Sequence, residues 1–117
     1  MLEVADNSYT RAFGGERVTQ SDVLDVVADN PQATIIADLA RGESIPSEAF
    51  DCIILTQTLH LIYDARAAIQ TLYRILRPGG ILLATFPGIS PSIVDDRAAA
   101  GSWYWGFTAN SSDRLFK

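Results

Sequence analysis

Residues Phe50 to Gly88 read FDCIILTQTLHLIYDARAAIQTLYRILRPGGILLATFPG, and the class of the fold turns on them. Cys52 to Leu55 (CIIL) and Ile81 to Phe86 (ILLATF) are short, almost continuously apolar runs. Such runs suit strands covered on both faces, as in a parallel sheet, better than the alternation of half-wet antiparallel strands. Between them the spacing predicts an amphipathic helix from about Ala65 to Leu76. Asp64 is placed to cap its N-terminus, and Ile69, Leu72, Tyr73 and Leu76 share one face. Arg74 and Arg77 bring positive charge to the last turn, where it suits the helix dipole, and Pro78-Gly79-Gly80 ends the helix. Strand, helix, strand in that order is the right-handed crossover unit of an α/β sheet. The apolar helix face is expected to be buried against Ile53, Ile54, Leu82 and Leu83.

Upstream, three more short runs read as strands: Leu2 to Ala5, a weak and polar Arg17 to Ser21, and Ala33 to Ala37 (ATIIA), which ends on Asp38. Their connections are poor in helix signal. NSYTRAFGGE has room for about two turns, Asn30-Pro31 marks a turn or breaker, and LARGESIPSEAF reads as a loop. Downstream of Phe86 the character changes. PGISPSIVDDRAAAG is loop-like, and SWYWGFT concentrates Trp103, Tyr104, Trp105 and Phe107. TANSSDRLFK begins a short helix, with Thr108 or Ser111 as its cap.

The whole is 117 residues, enough for one core and one domain, with 1–88 as sheet and helices and 89–117 as loop, aromatic cluster and terminal helix. Hydrophobic residues make up 48% and charged residues 20%, which is a globular composition. A formal net charge of −5 disfavours nucleic acid or an anionic membrane as partner. No apolar run approaches membrane-spanning length. Cys52 is the single cysteine, expected to be an inert core thiol, so no intrachain disulfide can form. With no basic-then-apolar leader, a cytoplasmic location is the expectation. No His/Cys/Asp cluster has metal-ligand spacing, so no metal is expected.

Phe50 to Gly88 strongly resembles the second half of class I S-adenosylmethionine (SAM)-dependent methyltransferases, in the methyltransferase type 11-like branch. The resemblance lies in an apolar strand after FD, an LHxxxD turn, an amphipathic helix ending RxLxPGG, and a second apolar strand. GFT…RLF is similar to the RFT…LxxLF segment that follows in many of these enzymes. EVADNSYTRAFGGERVTQSDVLDV…ATIIADL looks like a subgroup with a shortened first helix and an Asp-Asn turn in place of the glycine-rich loop. The resemblance implies a Rossmann-like, mostly parallel sheet of about five strands in the order 3-2-1-4-5, flanked by helices and truncated relative to the full methyltransferase fold. The helices before the first strand and the hairpin after the fifth have no counterpart.

By the same resemblance SAM would lie across the carboxyl ends of the first and fourth strands, where strand order reverses, and would leave as S-adenosylhomocysteine. Ala5 stands where the first loop glycine is usual, followed by Asp6, Asn7 and Ser8. Asn and Asp tolerate left-handed backbone and support tight turns with their own side chains, and an acidic turn can pair with the ammonium of SAM. Glu3 corresponds to the acid that orders this loop. Asp22, read as following the second strand, corresponds to the acid for the ribose hydroxyls, and Asp38-Leu39 to the adenine-contacting pair. Thr56 and Gln57 would face the methionine portion. His60 is the lone histidine and the weak candidate for a catalytic base, with a packing or capping role as the competing reading.

Two readings of function therefore stand. One is a SAM-dependent methyltransferase acting on an unidentified small-molecule, sugar or lipid acceptor. The other is a non-catalytic methyltransferase-like binding or scaffold module, or a fragment of a larger methyltransferase. A nicotinamide dehydrogenase falls behind both, because GxGxxG is absent. The fifth strand, if an open edge, invites a homodimer through that edge or through the Trp103–Phe107 cluster. The alternative is that SWYWGF folds back as a sixth strand.

Overall fold

The computed structural model describes residues 1–26, 28–87 and 104–116. Its elements are β1 (Leu2–Val4), β2 (Asp22–Asp25), β3 (Ile35–Ile36), β4 (Phe50–Thr56), α1 (Ala65–Ile75), β5 (Leu76–Thr85) and α2 (Ala109–Leu115). The five strands form one sheet in the order β3-β2-β1-β4-β5, and every pairing is parallel. The expected α/β, Rossmann-like order is therefore present. The shortened first connection holds a π-helical turn at Thr10–Gly14 and a 3-10 turn at Gly15–Arg17, about the two turns its length allows.

The second strand is corrected. It runs from Asp22 to Asp25, not from Arg17 to Ser21, and pairs Leu2 with Asp22 and Val4 with Leu24. Arg17 to Ser21 is a weak and polar run, and Val23 and Leu24 are the residues that reach the core. Burial thus places the strand.

β4 is the strand covered on both faces: Ile53, Ile54 and Leu55 are all buried. β5 is not. It sits at the edge of the sheet, and its side chains alternate between half-buried and exposed, with Leu83 56% exposed. Leu82 and Ala84 turn toward the core and Ile81 and Leu83 turn away, so the expected burial of Leu83 is corrected. β5 also starts earlier than its apolar run, at Leu76. Phe50 pairs with Leu76 and Cys52 with Ile81, so Arg77 to Gly80 bulge out between these pairs. Gly79 makes the bulge with φ +80°, a conformation that suits glycine.

Asp64 caps α1 as expected, its Oδ1 accepting the Ala67 N–H at 3.0 Å. The helix buries Ala65, Ala68, Thr71, Leu72 and Ile75, with Ile69 half-buried. Tyr73, expected in the core, is 84% exposed. The apolar stripe is rotated toward the small residues Ala65 and Ala68, which lets the helix lie close to the sheet. Ile69, Leu72, Tyr73, Leu82, Ala84 and Phe86 line an open groove of about 540 Å³ along β5.

Arg74, in the last turn of α1, is placed by specific bonds. Arg74 donates from Nη1 to the Ile45 carbonyl at 2.8 Å and to Ser47 Oγ at 2.9 Å, and from Nη2 to the Gly42 carbonyl. Gly42 packs so closely on Thr71 that a β-carbon there would collide with that side chain.

Among the described residues the terminal segment returns to the body without adding a strand. The N–H groups of Tyr104 and Trp105 donate to the His60 carbonyl, at 2.9 and 3.3 Å. Trp105 Nε1 is shared between the carbonyls of Ile62 and Tyr63, at 3.0 and 3.1 Å. Phe107 is buried, with its ring 4.8 Å from Phe86. α2 is capped reciprocally by Thr108 and Ser111. Trp103 and Asp95-Asp96 lie outside the described residues. No helix among the described residues is long and apolar enough to cross a membrane.

Denaturant unfolding separates the two helix faces. Leu72→Ala should cost about 2–5 kcal/mol as a core cavity, whereas Tyr73→Ala should stay within about 0.5 kcal/mol of wild type. Equal losses at both positions would show that the helix is rotated differently.

Candidate functional site

The carboxyl ends of all five strands form one rim. Matched by register, Ala5, Asp25, Ala37-Asp38, Thr56-Gln57 and Thr85-Phe86 stand side by side along it. Of the candidate residues, the structure brings Ala5 to Ser8, Asp38, Thr56 and Gln57 to this rim. It does not bring Asp22, which opens β2 at the level of Leu2. Asp22 lies three residues from the rim, about 10 Å at the rise of a strand. Its carboxylate is engaged by Thr34 Oγ1 at 2.9 Å and Gln20 Nε2 at 3.1 Å.

Asp25 occupies the end of β2 instead. Its Oδ1 accepts the Val26 N–H at 2.7 Å and its Oδ2 accepts from Asn30 Nδ2 at 2.8 Å. The two acids bracket the apolar pair in DVLD, so locating the strand on Val23-Leu24 would have identified Asp25 at its end.

Glu3 orders the loop. It is 1% exposed within β1. Oε1 accepts the Tyr9 N–H at 3.2 Å, and Oε2 accepts the Thr10 N–H at 2.9 Å and the Thr10 hydroxyl at 2.8 Å. A buried carboxylate needs such donors, and these three come from the start of the helical turns. The chain between must then close tightly. Ala5 does so at φ +75°, the left-handed region expected of the glycine it replaces. Both of its backbone groups are held, the N–H by the Leu24 carbonyl at 2.9 Å and the carbonyl by Asn30 Nδ2 at 2.7 Å. Asp6 Oδ1 accepts the Ser8 N–H at 2.9 Å. The Ser8 amide and hydroxyl hold the Asp6 carboxyl below its ordinary pKa, so it is anionic at neutral pH.

On the neighbouring strands, Asp38 Oδ1 accepts the Ala40 N–H at 2.9 Å and organises the turn into the next loop. Leu39 is 2% exposed and belongs to the core, so its side chain is committed to packing. Gln57 has φ +47°, and its N–H reaches the Thr85 carbonyl at 2.8 Å, tying the ends of β4 and β5 together. His60 is 5% exposed within the turn that receives Tyr104 and Trp105. Burial pushes its pKa below the ordinary imidazole value. These features fit packing rather than a solvent-facing base. Burial, reinforced by the Asp51 charge, pushes the Cys52 thiol up. Among the described residues no group of three or more His, Cys, Asp or Glu could hold a metal ion.

The profile of the methyltransferase domain family covers residues 6–84. The chain belongs to that family. It is 31% identical over 75 residues to probable polyketide synthase 5 of Dictyostelium discoideum, across 64% of this chain and 3% of that protein. It is 27% identical over 77 residues to the ubiquinone/menaquinone biosynthesis C-methyltransferase UbiE of Pectobacterium carotovorum, across 66% of this chain and 28% of UbiE.

Among solved structures, the SAM-dependent methyltransferase of Mesorhizobium loti superposes with a TM-score of 0.68 at 13% identity, covering 98% of this chain and 70% of that one. The cyclase SpnF also superposes with a TM-score of 0.68, at 19% identity, covering 98% of this chain and 47% of that one. The chain thus spans a small part of these curated relatives, from 3% to 28% of their length.

The positive φ at Ala5 gives a sharp expectation. A non-glycine residue there costs about 1–2 kcal/mol, against about 0.5–1 kcal/mol for the extra freedom of glycine when unfolded. Ala5→Gly should therefore stabilise by about 0.5–1 kcal/mol in a urea melt, and a loss of stability would contradict the left-handed turn.

His60 gives a second. The folded state keeps the imidazole neutral while the unfolded chain protonates near about 6.5, so its contribution is present above that pH and is lost as pH falls below it. His60→Leu should flatten the stability curve between about pH 7 and 5.5. An unchanged slope would place the side chain in solvent.

Proposed function

We propose that this domain binds SAM at the rim of strand ends and transfers its methyl group to a small organic acceptor. The observation that carries this reading is the preformed Ala5–Tyr9 turn, which keeps the left-handed geometry of a glycine loop without the glycine. The donor set suits the cofactor. Anionic Asp6 complements the ammonium, Asp25 takes over from Asp22 as acceptor for ribose hydroxyls, and Asp38 lies beside them for the adenine. Thr56 and Gln57 close the side toward β4.

Bound SAM supplies an electrophilic methyl carbon, and its transfer to a nucleophile breaks the carbon–sulfur bond, leaves the electron pair on sulfur and yields S-adenosylhomocysteine. The chain's part is to hold and orient, since in-line displacement depends chiefly on positioning. His60 is buried, so it is not the group that takes a proton from an acceptor. UbiE is by name a C-methyltransferase of quinone biosynthesis, and the other relatives are by name probable polyketide synthases. An acceptor of that kind accords with the acidic chain better than a nucleic acid does.

A second reading has one specific support. The cyclase SpnF shares the fold, so the architecture alone admits another reaction or a purely binding role.

Calorimetric titration of SAM tests the first reading. Asp25→Ala should weaken binding by about 1–3 kcal/mol, roughly five- to 140-fold, while Asp22→Ala should leave the affinity within about twofold, well under 1 kcal/mol. Absence of binding at millimolar SAM would remove the enzyme reading of this chain, and a larger effect at Asp22 would relocate the ribose.

A further inference from the structure

We infer that Asn30 is a positioning residue that locks the glycine-less turn to the end of β2 and thereby aims Asp25 at the ribose of the cofactor. The inference rests on the SAM reading of the rim. Asn30 makes three side-chain bonds. Nδ2 donates to the Ala5 carbonyl at 2.7 Å and to Asp25 Oδ2 at 2.8 Å, and Oδ1 accepts the Gln32 N–H at 3.0 Å.

Each partner works in one direction only. The carbonyl and the carboxylate accept, and the backbone N–H donates, so the orientation of the amide is fixed by chemistry. The set also explains the residue. Two donors and one acceptor on a short, planar side chain describe asparagine. Aspartate lacks the donors and would set a second carboxylate against Asp25, and serine has a single hydrogen to offer.

The two donor bonds cross from one strand end to the next. One holds the carbonyl of the residue that carries φ +75°, whose N–H is already held by Leu24. With both groups tied, the strained conformation of Ala5 is over-determined by its surroundings. The other bond fixes the rotamer of the carboxylate proposed to receive the ribose. Asn30 lies in the loop after β2, and the Pro31 that follows disfavours helical backbone at this position. A glycine-rich turn has the required conformation without such a brace. In this chain one amide does that work and sets the neighbouring acid as well.

The experiment measures binding of S-adenosylhomocysteine and of its 2′-deoxy analogue by calorimetry, with thermal melts in parallel. Wild type should prefer the ribose form by about tenfold, the worth of one charge-assisted hydrogen bond. Asn30→Ala should lower the melting temperature, weaken S-adenosylhomocysteine at least about tenfold and bring the preference close to one. The decisive variant is Asn30→Ala combined with Ala5→Gly. Glycine adopts the turn unaided, so the double variant should regain its melting temperature but not the ribose preference.

If Asn30→Ala loses affinity for both ligands equally and keeps the preference, Asn30 is structural only and the inference is overturned. If Asn30→Ala does not fold, the double variant decides alone, and a retained ribose preference there overturns it. If wild type binds neither ligand, the SAM reading fails and the inference falls with it. If wild type binds both equally, Asp25 is not the ribose acid and this inference alone is lost.

Discussion

The carboxylate of Glu3 is the contact on which the rim of this domain depends. It lies in the central strand, sealed from water, and draws three donors from Tyr9 and Thr10 down onto the sheet. A buried carboxyl tolerates no looser arrangement, because each missing donor would leave part of its hydrogen-bonding capacity desolvated and unsatisfied. Once those donors are fixed, the five residues between have little freedom. Ala5 is driven into left-handed backbone, Asp6 folds back on Ser8, and the Ala5 carbonyl turns toward Asn30. The shape of the turn follows from where its two ends are nailed, which is how it persists without its usual glycine.

A second set of anchors holds the opposite flank. Arg74 reaches out of α1 to two loop carbonyls and a serine hydroxyl, and Arg77 reaches the Glu48 carbonyl at 3.1 Å. These contacts settle the loop between β3 and β4 onto the helix, with Gly42 seated against Thr71. The same loop begins at Asp38, so the position of a rim residue is linked through backbone to a helix packed under the sheet. Arginine suits this role because its guanidinium presents several fixed donors at once.

The α1 cap was legible in the sequence for a local reason, an acid before a helix, whereas the sheet order and the place of Glu3 followed from the resemblance to the methyltransferases. What was not legible depended on which face of an element finds a neighbour. The Ile69, Leu72, Tyr73, Leu76 stripe is real, yet the helix beds down on Ala65 and Ala68 and leaves Tyr73 outside. Leu83 is as apolar as Leu82 but points off an edge strand. Asp22 and Asp25 are chemically alike, and only the register of Val23 and Leu24 against β1 tells which one reaches the rim. Asn30 was visible as a turn former, but its bond to the Ala5 carbonyl joins segments that propensity treats as independent.

The order of the strands also governs when this domain can come into being. β1 is made first and lies in the middle, between β2 and β4. Its partners are Asp22 to Leu24 on one side and Ile53-Ile54 on the other, and no hairpin brings either close. A nascent chain therefore carries its central strand exposed on one edge until β4 has been synthesised. Parallel pairings of this span close large loops before they gain contacts, which makes folding slow and cooperative rather than piecemeal. The binding rim, drawn from the ends of all five strands, is complete only once β5 has joined the sheet.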